Sequence, residues 1–294
     1  MDERQWLAER FEEQRPRLQA VAYRMLGSLS DAEDAVQEAW LRLSGTAYGD
    51  VDNLGAWLTT VVARISLNML RSRKTRNETR VPDPIIDRAD GTSPEHAVLL
   101  ANTVGLALLV VLETLAPAER VAFVLHDIFE MPFEEIAPIV ERTPDAARQL
   151  ASRARRRIRA REATPDAEAG VQQSVIDAFV AAARDGDFRR LVAVLDPEVV
   201  LRGDAGTQAG RSIEIRGAEQ VARGALSFSR LGLIRLPVLV NGAAGLVCML
   251  EGKPFSVMAF TVRGGKIAGI DILRDPERLS QLDLTVLDGQ RGQG

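Results

Sequence analysis

Seven arginines occur between Arg148 and Arg161, and no Asp or Glu separates them. Guanidinium groups neutralise phosphates and can grip guanine through two hydrogen bonds, and a Gln can do the same for adenine. Gln149 and Ser152 lie within this run. The whole chain has a net charge of −4, but a local basic surface matters more for nucleic-acid binding than the sum. The run is therefore a candidate DNA-contacting segment.

A helix-turn-helix is the element predicted to present this segment. The pattern predicts a short helix over 131–140, a turn at 141–143 and a longer helix over 144–160. Thr143 can cap the second helix, and the Pro that follows it suits the first helical position. Glu141 occupies a turn position that a glycine would enter more easily.

The two faces of the second helix differ in chemistry. One face is apolar because its members recur at helical spacing: Ala147, Leu150, Ala151, Ala154 and Ile158. The opposite face carries four residues that we predict to contact bases, namely Arg148, Gln149, Ser152 and Arg153. The arginines from Arg155 to Arg159, Arg156 among them, are predicted to contact mainly phosphates. A solvated basic helix face is the alternative that this pattern alone leaves open.

The N-terminal part, residues 4–76, is predicted to be helical and to carry two further polar surfaces. Within 30–43 a core face is predicted for Ala32, Ala35, Val36, Ala39 and Leu43. Four residues then lie together outside it: Asp34, Gln37, Glu38 and Leu41. This face is either an interaction surface or simply solvated.

The second polar surface is a basic stripe on the following helix. It is predicted to comprise Arg64, Asn68 and Arg71 and to continue into Arg73 and Lys74. Together with nearby aromatic residues such as Tyr48, it suits opened, single-stranded DNA, where cations meet phosphates and bases stack. Trp57 itself is assigned to the core.

The last part of the chain differs from the rest in its predicted secondary structure. Helical stretches at about 171–185, 187–195 and 217–230 are followed by β-type segments over 245–250, 255–262 and 266–273. The residues Arg263-Gly264-Gly265-Lys266 predict a hairpin between the last two segments. This unit is therefore predicted to be α+β, and the Pro-rich stretch 81–94 is predicted to be a linker rather than a packed element.

Composition restricts the function classes. The chain is 46% hydrophobic and 27% charged, as expected for a soluble globular protein. Neither a signal peptide nor a membrane-spanning run is recognisable, and the single cysteine, Cys248, supplies no disulfide or zinc cluster. We expect a cytoplasmic protein without a metal, a cofactor or a membrane partner.

The first 161 residues resemble the extracytoplasmic-function (ECF) sigma factors of RNA polymerase. DAEDAVQEAWLRL is similar to their region 2.2, and LGAWLTTVVARISLNMLRSRK to regions 2.3 and 2.4. LAPAERVAFVLHDIFEMPFEEIA and the later RQLASRARRRIR resemble region 4. The resemblance implies an alternative sigma factor that recognises −35 and −10 promoter elements and melts the promoter, with no enzyme chemistry.

The resemblance also implies roles for the surfaces. The face with Asp34, Gln37 and Glu38 would bind the β′ clamp helices of core RNA polymerase, whose β flap is a further expected contact. The loop at 46–54 would capture a flipped base of the −10 element, next to the basic stripe. The outer face of the second helix of the helix-turn-helix would read the −35 element.

The third unit resembles a SnoaL-like, cone-shaped domain through RGAEQVARGAL, VNGAAGLVCML and FTVRGGKIAGIDILRDPERL. In sigma factors with this appendage it is thought to modulate activity in place of an anti-sigma protein, and we therefore infer no anti-sigma partner. The contacts are attributed to a proline motif in the linker and an Asp-Gly-Gly-Gly-Lys motif. Pro82, Asp83 and Pro84 remain of the first, and Asp204 of the second, which reads DAGTQ over 204–208.

The predicted fold is multidomain, with two all-α sigma domains followed by an α+β SnoaL-like cone. We place region 2 at 1–78, the linker at 79–95, region 4 at 96–162, the SnoaL-like domain at 170–285 and a flexible tail at 286–294.

Three alternative functions remain open. The third unit could sense a small-molecule ligand. It could also be a cyclase or isomerase, with Asp204, Glu214, Glu251 or Asp271 as acid or base, although both histidines lie outside it. An ordinary helix-turn-helix regulator would leave the N-terminal unit unexplained.

Overall fold

The computed structural model describes residues 3–45, 53–75, 82–91, 93, 96, 105–159, 169–204 and 212–287. The chain divides into two compact units. Unit 1 comprises Met1–Glu78, Pro94–Asn102 and Val111–Arg161. Unit 2 comprises Thr79–Ser93, Thr103–Val110 and Glu162–Gly294. Most of the residues predicted to form two helical sigma domains thus pack together in unit 1, whereas Thr103–Val110 belong to unit 2.

Unit 1 begins with three helices, α1 (Glu3–Leu26), α2 (Leu29–Ser44) and α3 (Leu54–Thr75). Gly27, with φ 68°, makes the turn between α1 and α2, a conformation that glycine adopts without steric cost. Ser28 then caps α2, because its Oγ accepts a hydrogen bond from the Asp31 N–H at 3.4 Å. The buried side of α2 consists of the five residues predicted for it, Ala32, Ala35, Val36, Ala39 and Leu43.

The next helices along the chain are α4 (Gly105–Glu113), α5 (Pro117–Phe123), α6 (Phe133–Val140) and α7 (Pro144–Arg159). A short π-helical turn, Val124–Ile128, continues α5. α6 and α7 are the predicted helix-turn-helix, and both pack against α5. The three helices share a core that includes Val121, Ile136 and Leu150.

Unit 2 is built on one seven-stranded sheet. Its strands are β1 (Ile86–Arg88), β2 (Leu195–Asp204), β3 (Ser212–Arg216), β4 (Ile234–Val240), β5 (Ala243–Leu250), β6 (Lys253–Arg263) and β7 (Lys266–Leu273). Their order is β1-β4-β5-β6-β7-β2-β3. Only the β2–β7 pair is parallel among the described strands. The hairpin predicted at 263–266 is confirmed, because Arg263 pairs with Lys266 in the β6–β7 ladder.

Helices cover one face of this sheet. They are α8 (Ala169–Asp185), α9 (Phe188–Val194) and α10 (Ala218–Ser229). The short α11 (Pro276–Ser280) follows β7 and contacts β6. Alternate strand residues such as Ala244, Phe260 and Ile270 point into the shared core, and Phe179 of α8 packs edge-on to Phe260. The predicted order of the chain, helical domains followed by an α+β unit, is confirmed. Within the described ranges, every helix is too short or too polar to span a bilayer.

The segment predicted to be a linker contains a packed element. Ile86–Arg88 form strand β1, which pairs antiparallel with Val238–Val240 of β4. The preceding Pro82, Asp83 and Pro84 are buried as well. The sequence pattern did not predict this strand, because three residues next to prolines show no alternation of polar and apolar side chains. Their pairing with β4, more than 150 residues later, is what makes them a strand.

Gly245 of β5 is a position where the sheet and its neighbours leave no room for a side chain. A Cβ atom added there would overlap the Val240 side chain and lie 2.7 Å from the Met258 carbonyl oxygen. Gly224 of α10 is a matched contrast, because an added Cβ would meet no atom within 4 Å.

We therefore expect Gly245→Ala to lower the free energy of unfolding of unit 2 by about 1–3 kcal/mol, the usual cost of overpacking. Gly224→Ala should leave it unchanged or raise it by up to about 1 kcal/mol, because Ala is the better helix former. Urea denaturation of the full chain measures both. Equal stability of the two variants would contradict the packing at Gly245.

Candidate functional site

The turn between α6 and α7 has the geometry of a helix-turn-helix. α6 ends at Glu141, which adopts the left-handed conformation with φ 57°. The N–H of Arg142 donates to the Ala137 carbonyl oxygen at 3.0 Å, and Thr143 Oγ1 accepts from the Ala146 N–H at 3.3 Å. The prediction that Glu141 occupies a position better suited to glycine, and that Thr143 caps the second helix, is confirmed.

The two faces of α7 are those that its sequence predicts. Its buried residues are Ala147, Leu150, Ala151, Ala154 and Ile158. The candidate base-contacting residues Arg148, Gln149, Ser152 and Arg153 are exposed, as is Arg156, whereas Arg155 is half-buried. Small residues on the inner face let α7 approach α5 and α6 closely, so its polar face stands clear of the core.

Arg148 lies at the start of this exposed face. Its guanidinium is 2.6 Å from the Asp145 carboxylate, and its Cζ lies 5.2 Å from the centre of the Phe133 ring. Both members of the ion pair are more than half exposed, and such a pair contributes at most about 1 kcal/mol. An outside acceptor could therefore replace Asp145 at little cost.

A buried carboxylate orients two other arginines of α7. Glu119 of α5, only 5% exposed, accepts from Arg153 Nε at 3.0 Å and from Arg157 Nη1 at 2.7 Å. The Arg153 side chain remains 50% exposed. Because Arg153 uses Nε toward Glu119, its terminal amino groups are left for an outside acceptor. The sequence analysis missed Glu119, since nothing in its local pattern shows that it faces α7.

Arg155 is held in a similar way by Asp127, with Nε and Oδ1 2.6 Å apart. Burial raises the pKa of the Asp127 carboxyl above its ordinary value, and Arg155 opposes that rise. Arg155 is thus tied to the inner side of the motif, whereas Arg156 has no ion-pair partner within the described residues. Of the two, Arg156 is the better placed for a phosphate.

The polar face of α2 is largely free. Asp34, Gln37 and Leu41 are exposed, and Leu41 is 57% exposed despite its apolar side chain. Glu38 is half-buried and pairs with Arg42, whose Nε lies 2.9 Å from Oε1. A single exposed leucine is common on protein surfaces, so this face is accessible to a partner without being marked as a binding site by its exposure alone.

The basic stripe on α3 is present but shorter than predicted. Arg64, Asn68 and Lys74 are exposed, and both terminal nitrogens of Arg71 lie 3.4 Å from the Glu141 carboxylate. Arg73 departs from the prediction. It forms an ion pair with Asp31 of α2 and donates from Nη1 to the Leu26 carbonyl oxygen at 2.7 Å, and its side chain is only 13% exposed. It is therefore a structural residue of unit 1, drawn inward by partners that spacing on α3 does not reveal.

Two further arginines that sequence reasoning missed join the first three helices to the helix-turn-helix within unit 1. Arg120 donates from Nη1 to the Met25 carbonyl oxygen at 2.8 Å and to Glu113 at 2.7 Å. The Arg24 guanidinium lies 5.1 Å from the Phe129 ring centre, and its burial lowers its pKa to about 10. Both are 3% exposed, so this junction is a packed interface.

The candidate regulatory residues of the linker belong to unit 2. Asp83 accepts from Arg278 Nε at 3.0 Å, and a second bond joins Asp83 to Nη2 of the same side chain. The Asn241 N–H donates to the Ile85 carbonyl oxygen at 2.8 Å, and the Ile85 N–H donates to Asn241 Oδ1 at 3.0 Å. Asp204 ends β2 opposite Ser212, and residues 205–208 of its motif lie outside the described residues, as does most of the 46–54 loop.

Unit 2 also contains a mainly apolar cavity of about 150 Å³ between α8, α10 and the sheet. None of the described residues that line it is Asp, Glu or His. Asp271 is buried, and this burial raises its pKa to about 6, with Arg202 3.7 Å away, but it does not line the cavity. Glu214 and Glu251 are exposed. The described lining therefore offers no carboxylate for acid-base chemistry.

Two family models match the helices of unit 1. The family model for Sigma-70 region 2 matches residues 10–76, and the model for Sigma-70, region 4 matches residues 105–158. A helix-turn-helix regulator without a sigma region 2 is excluded by the first of these matches.

Whole-chain relatives identify the family. The chain is 38% identical over 291 residues to the ECF RNA polymerase sigma factor SigJ of Mycobacterium tuberculosis, covering 92% of each chain. It is 35% identical to the probable ECF sigma factor SigI of the same species over 89% of this chain. The crystal structure of SigJ superposes with a TM-score of 0.73 over 94% of this chain and 99% of that one. This chain belongs to the ECF sigma factors: it is an alternative sigma factor that directs transcription initiation and carries a C-terminal extension.

The role of Glu119 can be tested by removing its charge. We expect Glu119→Gln to lower the free energy of unfolding of unit 1 by about 1–3 kcal/mol, because two guanidiniums lose a buried acceptor. The matched control is Asp145→Asn, which removes an exposed partner of Arg148 and should change stability by less than about 0.5 kcal/mol. Thermal unfolding of both variants measures this. If the two variants gave indistinguishable unfolding curves, the conclusion that Glu119 orients α7 would be wrong.

Proposed function

We propose that α7 reads the −35 element through Arg148, Gln149, Ser152 and Arg153, with Arg156 and Arg155 on the flanking phosphates. The observation that carries this proposal is the exposed face of α7, on which guanidinium, amide and hydroxyl groups stand clear of the buried core. Arg and Gln at the start of such a helix have the donors and acceptors for guanine and adenine edges in the major groove.

The first three helices are proposed to bind polymerase and the −10 element. Asp34, Gln37, Glu38 and Leu41 of α2 would contact the β′ clamp helices, since they offer acidic and amide groups around an exposed leucine. Arg64, Asn68, Arg71 and Lys74 of α3 would contact the opened strand. Arg71 also pairs with Glu141 at 3.4 Å, and because both side chains are exposed, promoter DNA can replace this weak contact.

An initiation assay with defined variants tests the −35 assignment. Sigma-free core RNA polymerase and the purified chain are incubated with fragmented genomic DNA of the source organism, and transcript 5′ ends define the −35 and −10 elements. Gln149→Ala should then reduce binding to the consensus −35 element about tenfold or more, as expected for loss of a bidentate base contact. It should also relax discrimination at one base pair. Arg156→Gln should weaken binding to all sequences and lower the salt dependence by about one ion.

The matched control is Arg189→Gln, which removes the same charge from an exposed position of α9 in unit 2. It should behave as the unaltered chain. If Gln149→Ala and Arg189→Gln affected −35 discrimination equally, the assignment of α7 as the reading helix would be wrong. No core-dependent initiation from any form would contradict the promoter-recognition proposal as a whole.

The C-terminal unit is proposed to modulate initiation by holding the linker between regions 2 and 4. Residues 82–88 are fixed in unit 2 by the Asp83–Arg278 pair and by the β1–β4 ladder. Each residue released from such a segment extends its reach by up to about 3.5 Å, roughly one base-pair step. A held linker should therefore restrict the spacing between the two promoter elements that one sigma factor can span.

Asp83→Asn tests this restriction. The substitution removes the Asp83 charge from the largely buried pair with Arg278, and breaking such a pair typically costs about 3 kcal/mol. We expect faster amide exchange at Ile85–Arg88 and initiation over a wider range of spacers between the −35 and −10 elements. Asp90→Asn is the control, because it breaks an exposed linker pair with Arg88. Unchanged spacer selectivity despite faster exchange would show that the held linker does not set it.

The partners in this proposal are core RNA polymerase and promoter DNA in the cytoplasm, without a separate anti-sigma protein. An enzymatic role of the C-terminal unit is not proposed, since the described cavity lining has no acid or base. A role in binding a small molecule is favoured by the cavity itself.

A further inference from the structure

We propose that the cavity of unit 2 binds a neutral, apolar small molecule with the bulk of a single six-membered ring. This inference names the ligand class for the small-molecule role of unit 2, and in that respect it rests on the proposed function. It concerns residues of unit 2 alone and does not depend on promoter recognition. The supporting observations are the apolar walls of the cavity, the partners of its polar side chains and its volume.

The sheet supplies one wall of the cavity as two apolar rows. Alternate residues of a strand share a face, so paired residues of neighbouring strands form a row. One row crosses five successive strands and comprises Leu246, Met258, Ile272, Gly203 and Ile213. The row beside it, two residues away along three of these strands, comprises Ile270, Leu201 and Ile215. All eight residues line the cavity, so this wall is apolar throughout.

Two helices supply the opposite wall, which is apolar as well. The residues that α8 and α10 contribute to it are Phe179, Val180, Ala183, Val221, Gly224 and Ala225. Gly224 leaves open space in this wall, because an added Cβ would meet no atom within 4 Å. A ligand between the two walls mainly contacts carbon atoms. Such contacts favour an apolar ligand, since binding removes its surface from water.

The polar edge of the cavity consists of groups that already have partners within the chain. Arg235, Cys248 and Ser256 pair successively across β4, β5 and β6. A side-chain hydrogen bond joins Cys248 to Ser256, and burial raises the pKa of the Cys248 thiol, which therefore stays neutral. Arg235 donates from Nη1 to the Leu233 carbonyl oxygen at 3.2 Å. A ligand therefore does not have to supply partners for these groups.

The guanidinium of Arg274 also lines the cavity, and it lies against aromatic rings. Its Cζ is 4.8 Å from the ring centres of both Phe228 and Phe255. A ring face attracts a guanidinium through the quadrupole of the ring, so this contact stabilises Arg274 without a bound ligand. Phe228 is 42% exposed. The three-residue contact therefore lies where the cavity meets solvent.

A charged ligand of either sign is disfavoured in this cavity. A cation would approach two guanidiniums, and none of the described lining residues is Asp or Glu. An anion would exchange water for two apolar walls, and burying a charge is costly unless it is paired and hydrogen-bonded. Arg235 lies on β4 and Arg274 follows β7, with two strands between β4 and β7, so the positive charge is spread along the edge. A neutral apolar molecule meets neither cost.

The volume of the cavity limits the ligand to one ring. It is about 150 Å³, and apolar cavities of about this volume accept one benzene ring. Phe228 and Ile213 line the cavity and reach solvent, since Ile213 is 43% exposed. These two side chains mark the route by which a single ring can enter.

Four probes test the ligand class on the full chain: toluene, benzoate, benzylamine and naphthalene. Isothermal titration calorimetry should show one toluene per chain. Toluene should bind at least about tenfold more tightly than benzoate or benzylamine, because these carry a charge between apolar walls. Naphthalene should bind more weakly than toluene despite its larger apolar surface, because its second ring exceeds the cavity volume. Toluene should also raise the melting temperature of the chain.

Substitutions at Gly224 locate the site. Gly224→Ala adds one methyl group to the cavity wall and should weaken toluene binding severalfold, whereas Gly224→Leu should fill the cavity and abolish binding. Both replace a helical glycine with a better helix former, so the free chains should melt no lower than the unaltered chain. The matched control is Ser227→Leu, which adds the same side chain at an exposed position of α10 and should leave toluene binding unchanged.

The proposal is overturned if toluene does not bind the folded chain, if benzoate or benzylamine binds as tightly as toluene, or if naphthalene binds more tightly. Unchanged toluene binding to a folded Gly224→Leu chain would also overturn it, and if that variant does not fold, unchanged binding to Gly224→Ala would do so. Calorimetry needs neither polymerase nor promoter. Toluene binding without any effect on initiation would therefore leave the ligand site standing and contradict only its role in initiation.

Discussion

The buried carboxylates beneath α7 are the constraint on which the DNA-facing surface depends. α7 carries six arginines in sixteen residues, and like charges one helical turn apart destabilise a helix. Glu119 and Asp127 offset this repulsion from the inner side by binding Arg153, Arg157 and Arg155. They can do so only because alanines on the inner face bring α7 close to α5. The high charge density on the exposed face of α7 thus depends on the small residues of its buried face.

The same arrangement separates two kinds of arginine. Those bound to Glu119 or Asp127 are held in one orientation, so less side-chain entropy is lost when they meet DNA. Arg148 and Arg156 have no buried acceptor among the described residues, and they can adapt to the groove. A reading helix benefits from both kinds, since fixed side chains give register and adaptable ones give contact with phosphates.

The sheet of unit 2 explains why a proline-rich segment far away in sequence becomes a strand. β4 would otherwise be an edge strand with unpaired backbone groups, whereas its residues Val238 and Val240 pair with β1 and are fully buried. Covering such an edge with another segment of the chain satisfies its hydrogen bonds. The linker is therefore needed by the fold of the C-terminal unit. Within its Pro82-Asp83-Pro84 motif, Asp83 pairs with Arg278.

Whether a feature could be predicted from the sequence depends on how far apart along the chain the interacting residues lie. The faces of α2 and α7, the Thr143 cap and the 263–266 hairpin depend on residues within one or two turns of the chain, and periodicity revealed all of them. β1, the inward turn of Arg73, and the roles of Glu119 and Arg120 depend on partners 34 to 156 residues away. A charged residue on a helix looks solvent-exposed until its distant partner is known.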